Sequence, residues 1–338
     1  MAVNSKRIAI IYTGGTIGMQ PSEHGLVPAE GYLAQRLQQE PRLAAASVPD
    51  YELIEYSPLL DSSDMLPEHW QRIAQDVHQR YHQFDGFLVL HGTDTLAYTA
   101  SALSFLLPGL DKPLIVTGSQ LPLAEPHSDG HDHIVEGLML AAKPVCAGVN
   151  VLFHHKLMPG NRVTKSSSVA LGAFTAPNAA PVWVMDASSG PSPLDVKTQP
   201  GLAPQVPRLQ PCRIGILTLA PGMAMSMLTH FFDQPLDAVI LRSYGAGNAP
   251  QADEFLRLIR QAHEAGVVVV NLSQCDHGGV AMGTYAGGSA LARAGVISGA
   301  DMTLEACYTK LVVLLSHYDS VDIVRERMQL NLAGELTA

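Results

Sequence analysis

Ile8-Ala9-Ile10-Ile11 runs into Tyr12-Thr13-Gly14-Gly15-Thr16-Ile17-Gly18, and this stretch decides how the chain is read. The apolar run predicts a buried strand, and the turn that follows presents a threonine hydroxyl among glycines at the strand's carboxyl end. Glycine permits backbone conformations closed to other residues and lets a ligand approach the main chain. The turn also exposes N–H groups able to hold an anion. A nucleotide loop fits poorly, because no Lys-Ser/Thr follows the last glycine and the dinucleotide fingerprint needs Gly-x-Gly-x-x-Gly. The rival is an ordinary strand-end turn.

A second element repeats the arrangement. Phe87-Leu88-Val89-Leu90 predicts a buried strand leading into His91-Gly92-Thr93-Asp94-Thr95, and Ala97 to Leu107 predicts an apolar helix. Ligands bind at the carboxyl edge of open parallel sheets, where a carboxylate beside a hydroxyl can orient a proton transfer or hold a substrate ammonium. Asp94 or Thr95 could equally cap the helix. Between the two elements, Asp61-Ser62-Ser63-Asp64 precedes Pro67-Glu68 and a helix-like stretch to about Phe84. Its serines and amides can clamp a small carboxylate, while Asp64 is expected as a cap before the proline-started helix. Downstream, Lys165 is the only lysine between Lys156 and Lys197. In a desolvated pocket beside a threonine and an aspartate it can serve as a base, against the default of a solvated surface lysine.

Strands are expected near 7–12, 51–57, 86–91, 113–118, 149–155 and 182–186, with helical patterns between several of them. Prolines then recur from Pro191 to Pro211, and Ile214-Gly215-Ile216-Leu217-Thr218-Leu219, Ala238-Val239-Ile240-Leu241 and Val267-Val268-Val269-Val270 follow. The pattern predicts an α/β protein with two parallel-sheet α/β domains. The larger spans 1–190, a proline-rich linker 191–211, and the smaller 212–338.

Composition agrees. Of 338 residues, 47% are hydrophobic and 15% charged, as in a soluble globular protein. With 31 acidic against 21 basic residues the net charge is −10, which disfavours nucleic acid or an anionic membrane as partner. No stretch reaches spanning length and the N-terminus reads directly into a strand, so a cytoplasmic protein is expected. Cys146, Cys212, Cys275 and Cys307 lack paired spacing and are expected to be buried free thiols.

Taken in order, the Thr13-Gly14-Gly15-Thr16-Ile17 turn, Asp61-Ser62-Ser63-Asp64-Met65, His91-Gly92-Thr93-Asp94-Thr95 and Thr164-Lys165 resemble the bacterial L-asparaginases, and within them the cytoplasmic type I group. Val116-Thr117-Gly118-Ser119-Gln120, Leu241-Arg242-Ser243-Tyr244-Gly245, Gly247-Asn248-Ala249-Pro250 and Gly299-Ala300-Asp301-Met302-Thr303 extend the resemblance to the C-terminus. It implies the asparaginase fold and hydrolysis of asparagine to aspartate and ammonia through a threonyl acyl-enzyme, with no cofactor or metal. Thr16 is implied as nucleophile, with Thr93, Asp94 and Lys165 as a second catalytic group. Asp61, Ser62 and Ser63 are implied to hold the substrate's α-carboxylate and Asp94 its α-ammonium. A homo-oligomer is also implied, a tetramer built as a dimer of dimers. Arg242, Asn248 and Cys275, with Thr164, are read as the border of a regulatory asparagine site, against interface packing and turn chemistry. Two other functions compete: an ammonia-releasing subunit of an amidotransferase, and a catalytically weak asparagine-binding regulator.

Two departures from the family pattern stand out. In the expected lid from Gln20 to Gly31, Leu26 replaces a tyrosine that assists the nucleophile; either Tyr32 substitutes, or Tyr12 and a lid closure do the work, or activity is reduced. Glu125-Pro126-His127-Ser128-Asp129-Gly130-His131-Asp132-His133 looks like a metal cluster but lacks the usual paired spacing. A helix start capped by Ser128 or Asp129 is expected there instead, and His154-His155 is expected to decorate a strand.

Overall fold

Continuous apolar runs become strands buried on both faces. In the computed structural model, which describes residues 6–23, 25–185, 205–283 and 286–337, the opening run forms β1 (Arg7–Gly14), buried from Ile8 onward. There follow β2 (Met19–Ser22), β3 (Gly25–Pro28), α1 (Tyr32–Gln39), β4 (Asp50–Leu60), α2 (Pro67–Arg80), β5 (Gly86–Leu90), α3 (Leu96–Leu106), β6 (Pro113–Thr117) and α4 (Gly130–Ala141). β7 (Gly148–Phe153), β8 (Lys156–Pro159), β9 (Thr164–Lys165), β10 (Phe174–Thr175) and β11 (Trp183–Val184) complete the first of two compact units, Met1–Val206.

Its seven-stranded sheet has the order β11-β8-β7-β6-β5-β1-β4. The strands from β4 to β7 are parallel, and β8 and β11 add an antiparallel edge. From β1 the chain steps to β4 on one side and then to β5 on the other. That reversal opens a crevice at the carboxyl ends of β1 and β5, where open α/β sheets bind ligands. α2 buries Trp70, Ile73, Ala74 and Val77, the i, i+3, i+4, i+7 stripe of an amphipathic helix. α3 is apolar on nearly all sides and is correspondingly buried.

The second unit, Pro207–Ala338, contains β12 (Ile214–Thr218), α5 (Met225–Phe232), β13 (Ala238–Ser243), α6 (Asp253–Glu264), β14 (Val268–Ser273), α7 (Ala286–Arg293), β15 (Ile297–Ser298), α8 (Leu304–His317) and α9 (Val321–Met328). β12 to β15 form a parallel sheet in chain order. One face packs with Phe255, Leu258 and Ile259 of α6, the other with Ala306, Leu311 and Val324 of α8 and α9. A buried ion pair anchors the C-terminal segment: Lys310 Nζ lies 2.5 Å from Glu335 and also donates to the carbonyls of Met328 and Leu330.

Several expectations are corrected. The first sheet is mixed rather than parallel at the β8–β11 edge. His154 and His155 are not strand residues but the two-residue turn between β7 and β8, with φ of 47° and 64°, the backbone that right-twisted hairpins require. α2 ends at Arg80, and its N-cap is Leu66, whose N–H donates to His69 Nδ1 at 3.0 Å, so Asp64 does not cap it. Thr95 occupies the N-cap position of α3 without a side-chain capping bond. Cys146 and Cys307 are buried free thiols, but Cys212 is half-buried and Cys275 exposed. Most of the expected linker, up to residue 204, lies outside the described residues; 205–211 form no helix or strand.

Gly15 has φ 99° and ψ 172°, a region open essentially to glycine alone. A Cβ there would lie 2.4 Å from the Gly92 backbone nitrogen. Gly15→Ala is expected to destabilise the first unit by about 3 kcal/mol or more, strain and overpacking acting together. Both tryptophans of the chain, Trp70 and Trp183, lie in this unit, so urea unfolding followed by their fluorescence reads it. A wild-type midpoint in the variant would contradict the close approach.

Candidate active site

Three turns meet at the crevice because glycines let their backbones touch. Thr13 Oγ1 donates to Leu90 O at 3.0 Å, tying the end of β1 to the end of β5. Gly15 then lies on Gly92, and a Cβ on Gly92 would in turn meet Ser62 Oγ at 2.4 Å. Thr16 opens the 3-10 turn Thr16–Gly18 directly after this contact and is partly exposed. After β4, Asp61 caps the short turn Ser62–Asp64, its Oδ1 accepting from Ser63 N and Ser63 Oγ, each at 2.9 Å. Thr95 Oγ1 donates to Ser62 O at 2.6 Å. The hydroxyl expected to cap a helix instead links the second and third turns.

Thr93, Asp94 and Lys165 are brought together. Lys165 Nζ donates to Thr93 Oγ1 at 2.9 Å and to Asp94 Oδ1 at 2.7 Å. Because the Thr93 oxygen accepts from Lys165 Nζ, its own proton is free to donate elsewhere. The Asp94 side chain is 63% exposed and Lys165 only 21%, so the carboxylate is open to a ligand cation while the lysine is not a solvated surface residue. β9 places the lysine by antiparallel pairing with β10, which sets it opposite the buried Phe174. Among a hydroxyl, a carboxylate and an amine at this spacing a proton can pass along a short path.

Other expected residues lie elsewhere. Tyr12 is wholly buried, its oxygen closed off beneath Gly18, and burial followed by the Glu55 charge raises its pKa above the ordinary phenol range, making it a weaker acid. That position and state do not suit a phenol that relays protons. Tyr32 begins α1, and Leu26 is exposed in β3, opposite Pro21 of β2. The expected lid is thus largely a β-hairpin. Arg242 and Cys275 lie at and beyond the carboxyl ends of β13 and β14, and Asn248 closes a tight turn by bridging to Tyr244. The Arg242 Nη2 donates to Gln274 O at 3.4 Å. Thr164 belongs to the first unit. The 127–133 cluster disperses: His131 Nδ1 pairs with Glu40, Asp132 with Arg42, and Asp129 with the backbone of Gln120 and Leu121. Ser128 Oγ, rather than Asp129, accepts from Gly130 N at the start of α4.

One prop carries little signal in residue type or spacing. His91 is wholly buried, its Nδ1–H donating to Gly92 O at 2.7 Å and its Nε2 bonded to Thr99 Oγ1 at 3.0 Å. A peptide's C=O and N–H point in opposite directions, so fixing Gly92 O also fixes where the Thr93 N–H points. The only sequence hint is a histidine directly after a fully apolar strand. Desolvation lowers its pKa from 6.5 to about 4. The folded value lies below the unfolded one, so the stability is present above pH 6.5 and is lost as pH falls toward 4. The loss expected from His91 is on the order of 3 kcal/mol. Tryptophan-monitored urea unfolding across this window should show His91→Asn with a shallower acid decline; an unchanged slope would contradict it.

Residues 7–191 match the family described as Asparaginase, N-terminal, and residues 213–328 the Glutaminase/Asparaginase C-terminal domain. L-asparaginase 1 of Escherichia coli strain K12 is 48% identical over 337 residues, covering 99% of each chain. Among solved structures, L-asparaginase I of Vibrio cholerae superposes with a TM-score of 0.90 at 43% identity, covering 99% of this chain and 100% of that one. The thermostable L-asparaginase of Thermococcus kodakarensis gives 0.85 at 31% identity, covering 98% and 99%. With two family domains matched in order and close relatives aligned along nearly the whole length, the chain belongs to the asparaginase family.

Proposed function

We propose that this protein hydrolyses L-asparagine to L-aspartate and ammonia at the crevice between β1 and β5. The observation that carries the reading is Lys165 Nζ held between Thr93 Oγ1 and Asp94 Oδ1, beside the turn that presents Thr16. In this reading Ser62 and Ser63, with Asp61 behind them, take the α-carboxylate, and exposed Asp94 takes the α-ammonium. Holding both charged ends sets the side-chain amide carbon between the two threonines and removes the entropy of finding it.

Thr16 Oγ attacks that carbon, its proton passing to the departing ammonia. Backbone N–H groups at the glycine turns, Thr93 among them, stabilise the oxyanion. The resulting threonyl ester of aspartate is then attacked by water. As the neutral amine, Lys165 accepts the Thr93 proton while Thr93 takes the water's, and that proton returns to the Thr16 oxygen as it leaves and aspartate is released. The exposed β2–β3 hairpin with Leu26 serves as the lid that excludes bulk water.

Further parts of the proposal rest on the family resemblance. The working form is a cytoplasmic homo-oligomer, a dimer of dimers, and asparagine binding beside Arg242, Asn248 and Cys275 regulates the rate. Leu26 favours a second reading, a weakly active asparagine-binding regulator, because an aliphatic side chain cannot relay a proton.

Ammonia release measured over a range of asparagine concentrations separates these readings. Hydrolysis predicts release, with a sigmoidal curve if the regulatory site operates and a hyperbolic one if it does not. No release would favour the regulator. Thr16→Ala and Lys165→Met should each lower turnover by about a thousandfold or more; near-normal rates in either would overturn the roles assigned to them.

A further inference from the structure

The loop after β6 stands against Thr93. A Cβ on Gly118 would lie 2.2 Å from His91 O and 3.5 Å from Thr93 Cγ2. The Gly118 backbone, bare of a side chain, therefore faces the Thr93 side chain as a wall, and a shift of that wall would change the space in which Thr93 reaches Lys165. What holds the wall is the first turn of α4.

His133 is 1% exposed. Its Nδ1–H donates to Gly118 O at 2.8 Å, and its Nε2 accepts from the His154 backbone N–H at 2.9 Å. The imidazole is therefore neutral, with the tautomer fixed by a carbonyl on one side and an amide donor on the other. Its ring also packs on Phe153, centroids 4.6 Å apart, and Phe153 packs on Phe174 at 4.7 Å. Phe174 is the β10 residue paired with Lys165. One side chain thus touches the Thr93 wall through a hydrogen bond and the Lys165 strand pair through a stack of rings.

The neighbouring Asp129 supports the same loop. Its carboxylate accepts from Gln120 N at 2.9 Å and from Leu121 N at 3.0 Å, and Gln120 Nε2 reaches Ala170 O at 3.2 Å.

We propose that His133 is a positioning residue for asparagine hydrolysis, its neutral imidazole holding Gly118 and the Phe153–Phe174 stack so that Thr93 and Lys165 stay in register. The inference rests on the activity proposed above. It also carries a pH dependence. A proton on Nε2 would displace the His154 N–H, so protonation of His133 and the aligned site are incompatible.

The charged and titratable groups around His133 are known on each side. Asp129 Oδ2 lies 3.8 Å away on its own helix, Asp132 adds negative charge, and His155 on the β7–β8 turn adds opposing positive charge. Burial outweighs the carboxylates and lowers the basicity of His133. The misaligned form therefore appears on the acid side of the imidazole's ordinary range.

The test compares steady-state kinetics of wild type, His133→Phe and His133→Asn between pH 4.5 and 8, with melting temperatures recorded for each. Phenylalanine keeps the ring stack and removes both hydrogen bonds. Its kcat should fall by about tenfold or more with KM changed less than about threefold, because the substrate's charged ends are held elsewhere. Asparagine can present an amide donor to Gly118 O without titrating. It should keep kcat at neutral pH within about threefold of wild type and lose the acid inflection expected of wild type.

A folded His133→Phe with wild-type kcat, or an acid limb identical in wild type and His133→Asn, would overturn the inference. If His133→Phe does not fold, the asparagine variant's pH profile decides alone. A wild type that releases no ammonia would instead sink the proposed function, and this inference with it.

Discussion

Everything at the crevice depends on the backbone of Gly15 lying on the backbone of Gly92, with no side chain between them. Sheet hydrogen bonding sets β1 beside β5, but adjacent strands would ordinarily splay once their pairing ends. Here the Thr13 hydroxyl on Leu90 O and the missing Cβ atoms keep the two turns in contact for several residues beyond the ladder. Ser62 joins them by sitting against Gly92, and Thr95 holds Ser62 from the far side. The contact is backbone to backbone, so no rotamer change can absorb an added methyl group. That rigidity is what a site needs if it is to hold donors in place while charge develops.

The polar groups behind this contact are organised by burial. His91 and His133 each orient a glycine carbonyl near Thr93, Gly92 O and Gly118 O respectively. A buried imidazole that is neutral and bonded at both nitrogens is a stiff spacer that aims the adjoining peptide. Both histidines resist protonation because desolvation penalises the charged form. Acid therefore acts on these supports, and stability and the proposed site alignment weaken from the same side of neutrality.

How much was legible in the sequence follows from how local each feature is. The strands of β1, β5 and β6 are uninterrupted apolar runs and could be read directly, as could the glycine turns at their ends. The grouping of Thr93, Asp94 and Lys165 was expected from family resemblance, and the side chains do meet, although Lys165 arrives from a two-residue strand with no pattern of its own. What escaped was set by partners distant in sequence. His133 and Asp129 read as members of a possible metal cluster, yet their contacts run to Gly118, Gln120 and the β7–β8 turn. The turn at His154 and His155 was hidden because the two histidines end the expected strand 149–155 and carry no glycine, asparagine or aspartate to signal a turn, so only the positive φ values disclose the hairpin. Tyr12 illustrates a third limit. Its place two residues before Gly14 is near the site in sequence, but strand alternation turns its ring into the core.

The most direct test of the central claim is to quench the protein in acid during turnover of asparagine and locate covalent aspartyl groups by peptide mass spectrometry. The account predicts an aspartyl ester on the peptide that carries Thr16, accumulating further when Lys165→Met slows attack by water. An ester on Thr93 instead, or continued turnover with no covalent adduct under any quench, would contradict it.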